Sequence, residues 1–159
     1  MNIESILVPE RVVAGLVAGS KKRAIELASQ HIVAQLPQLN AGKVYRGLIA
    51  REKLGTTALG KGVAIPHCRL DDCTTTIGGL FTLTDGVDFS AADDLPVNIM
   101  FVLLAPVDAN EARANKEHLE TLAMLAKNLD KEAYRQALLQ ADSNDGLYQA
   151  ALSSLADIA

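Results

Sequence analysis

The sequence predicts an α/β sandwich, a small mixed β-sheet flanked by helices on both faces, within a single domain covering residues 1–159. Three observations predict it. Two continuous apolar runs of strand length, Ile77 to Thr84 and Val97 to Leu104, read as central strands, because a strand buried on both faces has no polar alternation. Segments of helical period, opened by Ser or Asn caps, lie before and after them in the chain. The 159 residues suit one hydrophobic core and are few for two full-sized domains.

The elements follow in order. Val12 to Val17 is a short β-branched segment ended by Gly19-Ser20, and Ser20 is placed to cap a helix running from Lys21 toward Leu36, with Ala24, Ile25, Ala28 and Ile32 as its buried stripe. Pro37 closes that helix. Asn40 caps a second, Ala41 to Leu54, stopped by Gly55. Thr56 to Gly62 reads as a loop and Val63-Ala64-Ile65-Pro66 as a short strand that its proline terminates. Asp85-Gly86 and Asp93-Asp94 supply turn material between the two central runs. From Asn110 the period becomes helical, with Leu119, Leu122, Leu125, Ala126 and Leu129 on one face. Ala133 to Ala141 is a shorter helix, and Ser143-Asn144-Asp145 caps a last one that carries Leu147, Ala151 and Leu155.

Composition narrows the function. No Trp, three Tyr and three Phe leave little to stack bases on, and a net charge of −4 gives no general attraction to nucleic acid or anionic lipid. The charge is uneven, +4 over residues 1–80 and −8 over 81–159, as solvated faces of different helices would produce. The opening Met-Asn-Ile-Glu-Ser has no basic n-region, and no apolar run reaches membrane-spanning length, so a cytoplasmic protein without membrane insertion is expected. Cys68 and Cys73 lack metal-ligand spacing and are expected to be free thiols; no metal or other cofactor is implied.

Three features bear on chemistry. Gly55 to Lys61 matches the first seven positions of a P-loop, but Gly62 stands where a Ser or Thr should meet magnesium, and a helix precedes where a strand should. A nucleotide site is therefore not expected. His67 sits where a strand ends and the chain emerges, which fits either a surface turn histidine or a site residue; Cys68 beside it points the other way in extended chain, against a Cys-His nucleophile. His118 shares a helical face with Leu122, Leu125 and Leu129, as a satisfied core histidine or an inward-facing site group. Arg51 lies at the edge of its helix's buried stripe, where a cation wants an anion. His31, between polar neighbours, reads as surface.

Arg51-Glu52-Lys53-Leu54-Gly55-Thr56-Thr57 followed by Gly60-Lys61-Gly62-Val63-Ala64-Ile65-Pro66-His67 resembles the signature of the fructose/mannitol-type enzyme IIA domain of the bacterial phosphotransferase system, and His118-Leu119-Glu120-Thr121-Leu122 resembles its second histidine motif. The resemblance spans about residues 5–152. With Ser20-Lys21-Lys22-Arg23-Ala24 opening its first helix, the chain is most similar to the family's nitrogen-regulatory branch; Cys68 replaces the glycine often found after the active histidine. The resemblance implies that His67 accepts a phosphoryl group from an HPr-like phosphohistidine donor, with Arg51 and His118 stabilising the phosphate. It implies a carrier rather than an independent turnover enzyme, without metal, whose phosphorylation state controls target binding in nitrogen-related regulation. The transport alternative is that it passes phosphate to a fructose/mannitol-type IIB domain. A pure binding module is a third reading, disfavoured by two inward cationic groups.

Overall fold

The computed structural model describes residues 2–107 and 110–153. Its strands are β1 (Val12–Leu16), β2 (Ala58–Gly60), β3 (Val63–Ala64), β4 (His67–Leu70), β5 (Ile77–Val87) and β6 (Val97–Pro106). Its α-helices are α1 (Lys21–Val33), α2 (Ala41–Glu52), α3 (Glu111–Leu129), α4 (Glu132–Gln140) and α5 (Asn144–Leu152). One mixed sheet runs in the order β1-β5-β6-β3-β2, with β4 also paired to β6. β5 and β6 are antiparallel; β1 joins β5, and β3 and β4 join β6, in parallel.

The apolar run of β6 is explained by its two faces. Met100, Val102 and Leu104 pack with α1 and α2 through Ile25, Ile32, Val44 and Leu48. Ile99, Phe101 and Leu103 pack with α3, α4 and α5 through Leu125, Leu129, Leu138 and Leu147. Helices thus cover both faces, as the sequence predicts. The caps expected at Ser20, Asn40 and Ser143 are in place and Asn110 also caps α3: each accepts from the backbone N–H three residues on, at 2.9–3.1 Å, each such cap contributing about 1 kcal/mol.

Several expectations need correction. α1 ends at Val33 rather than near Leu36, and α2 at Glu52 rather than Leu54, the residues after each closing into turns. Part of the expected loop from Thr56 to Gly62 is strand, since β2 pairs with β3 as a hairpin. Asp85-Gly86 does not end β5 but lies within it, where the register with β6 shifts between Thr82 and Val87. The short strand expected to end at Pro66 does end there, β3 stopping at Ala64, but pairing with β6 resumes directly after it as β4: Val63 pairs with Ile99 and His67 with Leu103, at one offset on both sides of the proline. Proline lacks only a donor, and its carbonyl still accepts from Leu103 N–H at 2.9 Å. Leu119 is off the buried stripe and 64% exposed, because that stripe runs through Ala114, Thr121, Leu125 and Leu129. Leu155 lies outside the described residues. No helix among the described residues is long and apolar enough to cross a membrane.

Candidate functional site

The site is built where the interrupted β3–β4 line passes the N-terminal half of α3. Alternation sends Ala64, Cys68 and Leu70 toward α1 and α2, and Val63 and Ile65 toward the opposite helical layer. His67 and Arg69 follow the second set and meet α3. The His67 ring lies 5.3 Å from that of His118, centroid to centroid, and Arg69 donates a hydrogen bond to the Asn115 side chain.

His67 Nδ1 stands 2.8 Å from the carbonyl oxygen of Ile65. A carbonyl only accepts, so Nδ1 carries the proton and the lone pair of the neutral ring resides on Nε2. Burial lowers the pKa of His67 below its usual value; the Ile65 hydrogen bond opposes this, Arg51 adds to it and Glu52 opposes it. His118 is half-buried and pushed down to about 4, by burial first, then by His67 and Arg69. Its Nδ1 is buried and has no hydrogen-bond partner among the described residues. Both rings are therefore neutral near pH 7.

Arg51 comes from the last turn of α2, where a cation suits the helix dipole, and its Nη1 donates to the Gly55 carbonyl at 2.8 Å. With Thr57, Ile65, His67, Leu119 and Leu122 it lines an open cleft of about 380 Å³. The structure thus brings together all three side chains singled out from sequence: Arg51 and His67 line the cleft, and His118 faces His67. The charge buried on the stripe of α2 is an anion rather than the expected cation: Val44 and Leu48 are followed at the same spacing by Glu52, a residue sequence reasoning passed over. A carboxylate falling on an apolar stripe was the available signal.

The P-loop lookalike has a different use. Gly60, Lys61 and Gly62 all have positive φ, at +89°, +58° and +81°, which glycine adopts freely and Lys61 does not. The Lys61 N–H donates to Asp93 Oδ2 at 2.7 Å and its ammonium pairs with Asp130 at 2.8 Å. A carboxylate of the chain itself therefore takes the place a phosphate would have on that N–H. Cys68 lies on the other side of the strand from His67, close under α2, where a Cβ on Gly47 would stand 3.0 Å from its sulfur. Burial pushes its thiol up to about 12, so it is no nucleophile at neutral pH. Both cysteines are free, and His31 is exposed. Among the described residues no three His, Cys, Asp or Glu side chains converge on a common point that could hold a metal ion.

A neutral imidazole with a directed lone pair, faced by a second histidine and an arginine at an open cleft, defines a histidine site suited to accepting an anionic group. The chain belongs to the family described as phosphoenolpyruvate-dependent sugar phosphotransferase system, EIIA 2, which it matches over residues 5–153. It is 42% identical over 149 residues to the nitrogen regulatory protein of Pseudomonas aeruginosa, covering 94% of each chain. The crystal structure of nitrogen regulatory protein IIA-Ntr from Neisseria meningitidis is similar with a TM-score of 0.82 and 35% identity, over 93% of this chain and 97% of that one. The fold is shared with IIA mannitol from Escherichia coli, TM-score 0.73 at 24% identity, over 91% and 97% of the two chains.

Proposed function

We propose that the chain is a phosphoryl carrier of a bacterial phosphotransferase system with a regulatory output, and that His67 is its phosphorylated nucleophile. The observation that carries this reading is the Ile65 carbonyl on His67 Nδ1, which leaves Nε2 as the attacking atom. The Nε2 lone pair forms a bond to phosphorus as the phosphorus–nitrogen bond of an HPr-like phosphohistidine donor breaks, the electron pair returning to the donor's ring. Positive charge developing on His67 is met by the Ile65 carbonyl. Charge on the equatorial oxygens is met by Arg51 and His118, electrostatic stabilisation being the main task in phosphoryl transfer. The phosphoramidate donor is already activated, so this reading calls on no metal.

The similarity to nitrogen regulatory proteins supports nitrogen-related regulation in the cytoplasm, with phosphorylation deciding which target is bound. The test is incubation with enzyme I-like and HPr-like donors, followed by assay of candidate IIB domains. Labelling of wild type but not of His67→Ala, without onward transfer, is expected. Efficient passage to a IIB domain would assign the transport role instead, and unlabelled wild type would refute both.

A further inference from the structure

Glu52 is an ionisable side chain where burial disfavours charge, with only 4% of its side chain exposed. A carboxylate there is tolerated when its oxygens are filled. They are filled from two other segments. Lys21 Nζ, in the first turn of α1, donates to Oε2 at 3.1 Å. The Thr57 N–H approaches both oxygens at 3.3 Å, and the Thr57 hydroxyl donates to Oε1. The chain from Lys53 to Thr56 is therefore a short turn pinned at both ends by one side chain. That turn holds Gly55, whose carbonyl receives the Arg51 guanidinium.

We propose that Glu52 is a positioning residue for the His67 site: by tying the start of α1 and the residue before β2 to the last turn of α2, it fixes Arg51 and the Thr57 wall of the cleft relative to His67. This rests on the phosphoryl-accepting reading of the cleft and adds a residue to it. Arg51 and Thr57 both line the cleft, and both are set by the turn that Glu52 closes. In phosphoryl transfer, where positioning and charge do most of the work, a displaced guanidinium is felt directly in the rate.

The charge of Glu52 gives the role a signature that packing alone would not. The charged and titratable groups acting at His67 are Arg51 and Glu52 from α2 and His118 from α3; Arg69 on β4 acts on His118, and Lys21 from α1 pairs with Glu52. Glu52 favours the protonated ring and Arg51 opposes it.

The experiment compares Glu52→Gln, Glu52→Asp, Lys21→Met and Thr57→Val with wild type. The readouts are NMR titration of the His67 ring and the rate of phosphate transfer from a phosphorylated HPr-like carrier. Glu52→Gln is expected to titrate His67 at lower pH and to slow transfer about ten- to a hundredfold. Lys21→Met should move the titration the opposite way, because Glu52 loses its counter-ion. Glu52→Asp should restore the titration without restoring the rate, since it keeps the charge but not the reach. If Glu52→Gln does not fold, Thr57→Val carries the geometric arm, with slower transfer at an unchanged titration. Transfer within twofold of wild type in Glu52→Gln or Thr57→Val, or His67 titrations unmoved in both Glu52→Gln and Lys21→Met, would overturn the proposal. A wild type that takes no phosphate would refute the phosphoryl reading, and the opposed titration shifts would still decide the role of Glu52.

Discussion

The rings of His67 and His118 face each other at 5.3 Å with a 53° tilt, and the deeper electrostatic penalty falls on His118, pushed down to about 4. One ring keeps an ordered hydrogen bond to the backbone while the other keeps a buried nitrogen with none among the described residues. On the proposed phosphoryl-carrier reading the asymmetry gives them different work: His67 is oriented to attack, and His118 has a nitrogen left over for an incoming group.

On the same reading, that orientation fixes which nitrogen takes the phosphoryl group. Phosphate is expected on Nε2 of His67, giving an acid-labile, base-stable product. Nitrogen-15 and phosphorus-31 NMR of the labelled protein distinguishes the two ring positions. His67→Ala should fold and take no label; label on Nδ1, or on another histidine in that variant, would contradict the assignment.

Acid should weaken the fold through His118. Its folded value, about 4, lies below the unfolded one of about 6.5, so between these the unfolded chain binds a proton the folded chain refuses. Stability therefore falls as pH drops from about 6.5 toward 4, with His67 contributing in the same direction. His118→Gln should gain on wild type in denaturant midpoint between pH 7.5 and pH 5. A constant difference across that range would show that His118 is not held neutral by its surroundings.

Removing the Arg51 guanidinium should slow transfer without abolishing it, since it stabilises charge and forms no bond to phosphorus. Loss of one such donor costs about 10² to 10³ in rate. Arg51→Lys should recover only part of this, because an ammonium cannot reproduce the planar fork that now reaches the Gly55 carbonyl. Single-turnover kinetics with the phosphorylated carrier checks both.

Leu119 and Leu125 are one chemical type on one helix and should behave oppositely. Leu125 is fully buried against the sheet, and Leu125→Ala should cost about 2–5 kcal/mol in unfolding free energy. Leu119 is largely exposed at the cleft, and Leu119→Ala should stay within about 0.5 kcal/mol of wild type. Chemical denaturation of the two variants checks the register of α3.

Local chemistry made much of this legible beforehand. Ser20, Asn40 and Ser143 announce their helices because a short side chain can fill an orphan donor at a helix start, and all three do. Where several residues compete, the reading slipped. Leu119 fits the apolar period as well as its neighbours do, yet a helix has room for one stripe against the sheet, and Ala114, Thr121, Leu125 and Leu129 occupy it. Pro66 ends β3 as its missing donor suggests, but its carbonyl still accepts from Leu103, and pairing resumes at His67, which the sequence did not announce. Arg51 and His118 were singled out by helical phase and the family's motif, and His67 by the motif, since it opens β4 rather than standing where the chain leaves the sheet, whereas Glu52 was hidden because its partners, Lys21 and Thr57, declare themselves only in three dimensions.

The unbroken register across Pro66 separates two kinds of fidelity. On the proposed reading, the nitrogen of His67 that reacts is selected by Ile65, on a line of chain bonded to β6 on both sides of the proline, while Arg51 and His118 arrive from helices. Helix termini open and close far more readily than paired sheet strands. A transient loosening of α2 or α3 would therefore change how fast the ring reacts and leave unchanged which of its nitrogens does, so that regiochemistry survives fluctuations that rate does not.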